Sequence, residues 1–380
     1  MALFHRTALA NDLAARLLAA QPTSASGSGL FLAAPRRTGK STFLREDLRP
    51  ALQARGALVI YADLWADKTA DPGDVIVAAI RDALSQREGV IARLARSSGL
   101  DKVSVGGLAF TLDRVGLAQG VTLSSALSAL SDEAQAMTVL IVDEAQHAIT
   151  SELGTNALFA LKAARDELNS SAHHGLRVVA TGSNRDKLAM LRNSKDQAFF
   201  GAPLVNFPPL GKDYIEWFTA LLPFKQELDV EQVYAWFTEA AYRPEILGGA
   251  VDALLYDLDA GPGQYALRLH RLIQEQVRAS NEEALHAVRS LTPLQSAVLR
   301  VMASAGTDYA PFEAQTMALY RSTLAAIAPE AKVEPETNNV QQSLAALQDK
   351  ALVWKAARGV YALEDALLAE LMRQAGMLAS

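Results

Sequence analysis

The sequence predicts an α/β protein in which a parallel five-stranded core sheet is followed by an all-α region and then by a small module of helices closed by a hairpin. Three observations carry this. Short apolar runs alternate with helical patterns through the first two hundred residues, strands stop after Pro208-Pro209, and from Thr292 onward helices lead into two short β runs around Arg358-Gly359.

Taken in order, Leu30 to Ala33 (LFLA) is a short apolar run ending at Pro35, and a helical pattern follows from Ser41 through Leu44, Leu48 and Leu52. Ala57 to Leu64, Thr138 to Val142 and Leu176 to Thr181 read as further strands, with Pro203 to Phe207 as the fifth. Strands this uniformly apolar bury both faces, which requires helices on each side of a parallel sheet. Between the second and third strands lies an excursion, Trp65 to Met137. It holds an amphipathic helix around Val75 to Leu84 and an alternating β-like run, Val103 to Leu112. Helices are then expected at Asp213 to Leu222, Val230 to Tyr242, Pro244 to Leu258 and Gly263 to Ala279, punctuated by Pro223, Pro244 and the turn at Gly261-Pro262-Gly263. Next come helices at Pro293 to Ser304, Pro311 to Ile327 and Asn338 to Lys350, and a hairpin over Leu352 to Ala362, an order that matches a winged helix-turn-helix. The expected domains are therefore 1–210, 211–285 and 286–380.

Composition narrows the function classes. The 380 residues contain no cysteine, which excludes disulfide scaffolds, thiolate zinc sites and thiol catalysis. No apolar run approaches the ~20 residues of a membrane span. Arg6, Asp12 and Arg16 interrupt the first twenty residues before a signal-peptide apolar stretch can form, so a cytoplasmic location is expected. With 42 acidic against 36 basic side chains the net charge is −6, so nucleic acid is not attracted globally.

The segment that carries chemistry is Ala34-Pro35-Arg36-Arg37-Thr38-Gly39-Lys40-Ser41-Thr42, placed between the first strand and its helix. It fits the phosphate-binding loop GxxxxGK[ST] at every fixed position except the first, where alanine replaces glycine. Gly39 lets backbone N–H groups approach phosphate oxygens, and the helix starting at Lys40 adds the positive end of its dipole. Lys40 is expected on the β- and γ-phosphates and the Ser41 hydroxyl on Mg²⁺. A second element, Thr138 to Glu144 (TVLIVDE), ends a buried strand in two acids. Asp143 is expected to hold Mg²⁺ and Glu144 to polarise the attacking water. The six histidines form no metal-binding spacing.

APRRTGKST, LIVDEAQ and the strand ending VVATGSN resemble the AAA+-like P-loop ATPases, and within them the archaeal-type ATPase and STAND-related group. The resemblance covers Leu3 to about Leu291 in organisation, and its specific residues lie in these motifs and in Phe199 to Leu210. It implies a P-loop NTPase core that binds ATP with Mg²⁺ and hydrolyses it slowly, a helical lid, and a C-terminal winged helix that engages a macromolecular partner. Carried over by position, the polar sensor after the fourth strand falls on Asn184, with Ser183 as the alternative, and the lid's sensor arginine on Arg243. Arg185, Arg192 and Lys195 lie where oligomeric relatives present an arginine finger, which leaves a homo-oligomer open; three cations in a polar loop read first as solvated, and none is assigned as a finger. Gln146 reads either as a coupling residue or as a helix-surface glutamine. The base-binding stretch is expected around Leu3 to His5.

A protein partner is favoured over DNA at the C-terminal end. Gln341, Gln342 and Gln348 project from the expected recognition helix, whose apolar face is Val340, Leu344, Leu347 and Ala351. Residues 281–380, however, carry eight basic against eleven acidic side chains. Two other roles remain open at this stage: a DNA-associated adaptor of the origin-recognition or transposition type, and a nucleotide-gated defence or signalling scaffold.

Overall fold

The computed structural model describes residues 3–19, 27, 29–87, 122–170, 173–193, 197–357, 359–365 and 367–378. The β-like run expected at Val103 to Leu112 lies outside them, as do Lys195 and Arg358. The chain divides into two compact units, Met1–Pro208 and Pro209–Ser380.

In the first unit five strands form one parallel sheet: β1 (Leu30–Ala33), β2 (Leu58–Asp63), β3 (Thr138–Asp143), β4 (Leu176–Gly182) and β5 (Leu204–Asn206), in the order β2-β3-β4-β1-β5. All four pairings are parallel. This is the α/β fold that the apolar runs predicted. Alternation explains its two layers, because successive side chains of a strand leave by opposite faces. Phe31, Ala33, Ile60, Leu140 and Val178 pack on one face with the helices α3 (Pro72–Ser85), α4 (Leu123–Ala134) and α5 (Glu152–Ser170). Leu30, Leu32, Val59, Val139 and Val179 pack on the other with α1 (Thr7–Leu18) and α2, the helix that follows the phosphate loop.

Helix α2 starts at Lys40–Phe43, widens into a π turn over Leu44–Leu48 and resumes at Arg49–Ala54. Pro50 supplies the reason: it has no N–H to donate, and its ring crowds the preceding turn. The turn still buries Phe43, Leu44, Leu48 and Leu52, which anchor the loop to the sheet.

The second unit is helical as far as Asp349. Helices Lys212–Ala220, Val230–Glu239, Pro244–Leu255 and Tyr265–Arg289 are followed by Pro293–Ala305, Ala314–Ile327 and Thr337–Asp349. The long helix runs about ten residues past its expected end at Ala279 and through the boundary expected near residue 285, because no Gly or Pro interrupts it before Ser290. A Thr292–Gln295 capping box with Pro293 at the first turn then starts the next helix. An antiparallel hairpin, β6 (Val353–Ala357) and β7 (Val360–Leu363), precedes a last helix, Leu367–Gln374. Val340, Leu344 and Leu347 form the buried face of Thr337–Asp349 and Gln341 and Gln342 are exposed. Ala351 departs from expectation: it is exposed, at φ 53°, where the chain leaves the helix through a left-handed turn. Among the described residues no helix is long and apolar enough to cross a membrane.

Candidate functional site

The strand order places β4 between β1, which feeds the phosphate loop, and β3, which carries the acids. The C-terminal ends of these parallel strands, where α/β sheets bind ligands, therefore converge. A cleft of about 500 Å³ opens there, lined by Pro35, Gly39, Lys40, Ser41, Asp143 and Glu144 among others.

The loop's conformation follows from its residues. Ala34 is buried, its N–H donates to the Gly182 carbonyl at 3.1 Å, and its φ is not positive, so alanine is accommodated where the motif has glycine. The positive φ falls instead at Arg37 (63°) and Gly39 (81°). Only at Gly39 is the left-handed conformation free of a side-chain penalty. The Thr38 hydroxyl donates to the Pro35 carbonyl at 2.8 Å and closes the loop from within. Pro35, Arg36 and Arg37 are exposed at the mouth, whereas Thr38 and Lys40 are buried. Ser41 and Thr42 line the same cleft.

Lys40 is 5% exposed and its ammonium lies 2.7 Å from Glu144 Oε1 and 3.6 Å from Asp143 Oδ1. Two adjacent residues of an extended strand would point to opposite faces. Glu144 escapes this by adopting φ 53°, which swings its carboxylate to the same side as Asp143. A strained residue at the end of a sheet is a common mark of a functional position. The strain is held by three partners: Gln146 Nε2 donates to Glu144 Oε2 at 2.6 Å, and the Ser183 hydroxyl and N–H donate to the same oxygen at 2.8 and 3.3 Å. Burial pushes the Glu144 carboxyl up, but the Lys40 charge and these hydrogen bonds overcome it and hold the group down at about 2.

Asp143 is 1% exposed and accepts from the Thr181 hydroxyl, from the Glu144 N–H at 3.1 Å, and from the Tyr61 hydroxyl at 2.9 Å. Burial, with the Asp143 charge added, keeps the Tyr61 phenol protonated well above the usual tyrosine range. Arg45 donates to Tyr61 and to Asp63, which stands opposite Asp143 in the β2–β3 register. Trp65 stacks on His147 at 4.3 Å and lies under the Arg36 guanidinium at 5.3 Å.

The remaining sequence-predicted residues sort themselves by geometry. Asn184 Oδ1 accepts from the Asp186 and Lys187 N–H groups and caps the helix Arg185–Ala189, so of the pair it is Ser183 that reaches Glu144. Gln146 is no surface residue: it is fully buried against Gly182, where an added Cβ would come within 2.5 Å of its Oε1. Arg185 donates to Asn206 and to the Leu204 carbonyl, both in β5. Arg192 donates to Asn193 at 3.3 Å. His5 and the Arg6 N–H are held by Asp47 of α2. Arg243 belongs to the second unit, where its guanidinium donates to Ala240 O at 3.1 Å and Ser280 Oγ at 3.2 Å. Sequence reading missed Arg45, Tyr61, Asp63 and Thr181. For Tyr61, Asp63 and Thr181 the available signal was a polar residue interrupting an otherwise apolar strand near its C-terminal end.

Mg²⁺ fits the donors on chemical grounds. Ser41 and Asp143 supply hard oxygen ligands, and among the described residues no cluster of three or more His, Cys, Asp or Glu forms a self-sufficient metal cage. A cation completed by phosphate oxygens and water needs only one or two such ligands.

The sequence matches no family model and no curated protein. Solved structures are similar over nearly the whole length. A Walker-type ATPase of Pyrococcus abyssi shares 18% identity and a TM-score of 0.48 over 94% of this chain and 99% of that one. The ORC2 protein of Aeropyrum pernix in its ADP form shares 16% identity and a TM-score of 0.49, over 100% and 96%. The ORC1 protein of the same organism, in complex with DNA, shares 17% identity and a TM-score of 0.42, over 98% and 94%.

Proposed function

We propose that this chain is an ATP-binding and ATP-hydrolysing switch of the AAA+ type. The observation that carries the reading is the convergence of Lys40, at the end of a phosphate loop, on two strand-end acids 2.7 and 3.6 Å away. Loop N–H groups around Gly39 and the Lys40 ammonium hold the triphosphate. Ser41 and Asp143 hold Mg²⁺, which when bound offsets the phosphate charge. Glu144 takes the proton of the attacking water.

The geometry gives this chemistry an internal gate. While Lys40 is paired with Glu144, the carboxyl held at about 2 is too weak a base to activate water. A triphosphate competes for the same ammonium. As Lys40 turns to phosphate, Glu144 loses its counter-charge and its basicity rises, while Gln146 and Ser183 keep it in place. Capture of the lysine by substrate thus strengthens the base.

Turnover then resets the second unit, whose 211–285 segment acts as a lid with Arg243 as its sensor, and whose 286–380 segment, a winged helix, engages the partner. Its acidic balance suits a protein partner better than the phosphates of DNA. Phosphate release by the wild type and Glu144→Gln tests the proposal. Turnover should fall about 10²–10⁴-fold, the span of general-base catalysis, with Mg·ATP binding retained. Equal turnover would remove Glu144 from its role, and binding to duplex DNA that weakens steeply with salt would replace the protein partner.

A further inference from the structure

We infer that Tyr61 is the positioning residue for Asp143, held in that role by Arg45; the inference rests on the ATPase reading above. Tyr61 sits on β2 two residues before Asp63, so both side chains leave the strand on the same face, and Asp63 is the register partner of Asp143. Its phenolic oxygen accepts from Arg45 Nε at 3.1 Å and donates to Asp143 Oδ2 at 2.9 Å. These two contacts depend on each other. A hydroxyl has one hydrogen, and a donor on its oxygen directs that hydrogen away from the donor, here toward the carboxylate.

Arg45 is fixed in turn. Its second arm donates to Asp63 Oδ2 at 3.0 Å, and Asp63 Oδ1 accepts from the Trp65 N–H at 3.0 Å. On the far side of Asp143, Thr181 and the Glu144 N–H occupy Oδ1. The carboxylate is therefore held from both ends, with Tyr61 controlling the oxygen that the β3–β4 side does not reach. A ligand carboxylate whose plane is fixed before the metal arrives binds it without first giving up rotational freedom, which is how hydrogen bonds to the ligands of a metal strengthen a site.

The test separates metal from nucleotide. Affinity for a fluorescent ATP analogue is measured in EDTA, and Mn²⁺ affinity of the protein·ADP complex is measured from the free-Mn²⁺ resonance, for the wild type, Asp143→Asn, Tyr61→Phe and Arg45→Ala. Tyr61→Phe should weaken Mn²⁺ binding about tenfold, the effect of losing one hydrogen bond to a charged group, with metal-free nucleotide affinity within about twofold of the wild type. Arg45→Ala, at an exposed position that folding tolerates, should shift Mn²⁺ affinity in the same direction by about threefold, since the phenol keeps its hydrogen bond but loses its orientation. Unchanged Mn²⁺ affinity in both variants beside a deficient Asp143→Asn overturns the inference and leaves the ATPase reading standing. A parallel fall in metal-free nucleotide affinity also overturns it, because a general loss of site structure would then explain the result. A wild-type chain that binds no nucleotide overturns the ATPase reading, and this inference with it.

Discussion

The two units bury polar groups in opposite ways. In Met1–Pro208 buried Lys40, Asp143, Thr181 and Gln146 come from three separate segments and converge on one point at the sheet's C-terminal edge. In Pro209–Ser380, Thr219 donates back to the Ile215 carbonyl of its own helix, and Tyr309 pairs with Tyr320 at 2.5 Å. Buried charge is costly unless paired and hydrogen-bonded, and clusters of such groups are concentrated at functional sites, whereas scattered hydroxyl pairs serve packing. The difference fits the proposal that the chemistry lies in the first unit.

That contrast can be strained by experiment. The largest expected effect on stability is acid sensitivity of the first unit. Glu144 is held at about 2 against an ordinary 4.5, so its contribution is fully present above pH 4.5 and is lost as pH falls from 4.5 through about 2. Urea midpoints of the full chain measured across that window should fall steeply for the wild type and more shallowly for Glu144→Gln. Parallel acid limbs would mean that the Lys40–Glu144 pair contributes nothing. A smaller effect is expected from Tyr309→Phe, which leaves the buried Tyr320 hydroxyl without its Tyr309 partner. It should cost about 1–3 kcal/mol in urea unfolding and leave ATP affinity unchanged. A change in ATP affinity would break the division between chemistry and shape.

The sheet was legible because its inner strands β1, β3 and β4 are buried on both faces, and that leaves uninterrupted apolar runs between polar loops. The loop residues were legible because Gly39, Lys40 and Ser41 owe their roles to spacing. What the sequence hid was orientation. Whether Ser183 or Asn184 faces Glu144 is settled by the helix cap at Asp186 and Lys187, which draws the carboxamide away. Gln146 read equally as a coupling or a surface residue because the left-handed turn at Glu144 leaves no trace in composition; the structure buries it. Tyr61 meets Asp143 because β2 pairs with β3, a feature that sequence distance conceals.

In the proposed ATPase, Lys40 is the partner that Glu144 shares with a nucleotide's phosphates. Calorimetric titration of the wild type and of Lys40→Ala with Mg·ATP tests it most directly. The wild type should show one saturable site and Lys40→Ala an affinity at least about 100-fold lower, as expected when a buried charge-assisted contact to phosphate is removed. Equal affinity in the two proteins would contradict it.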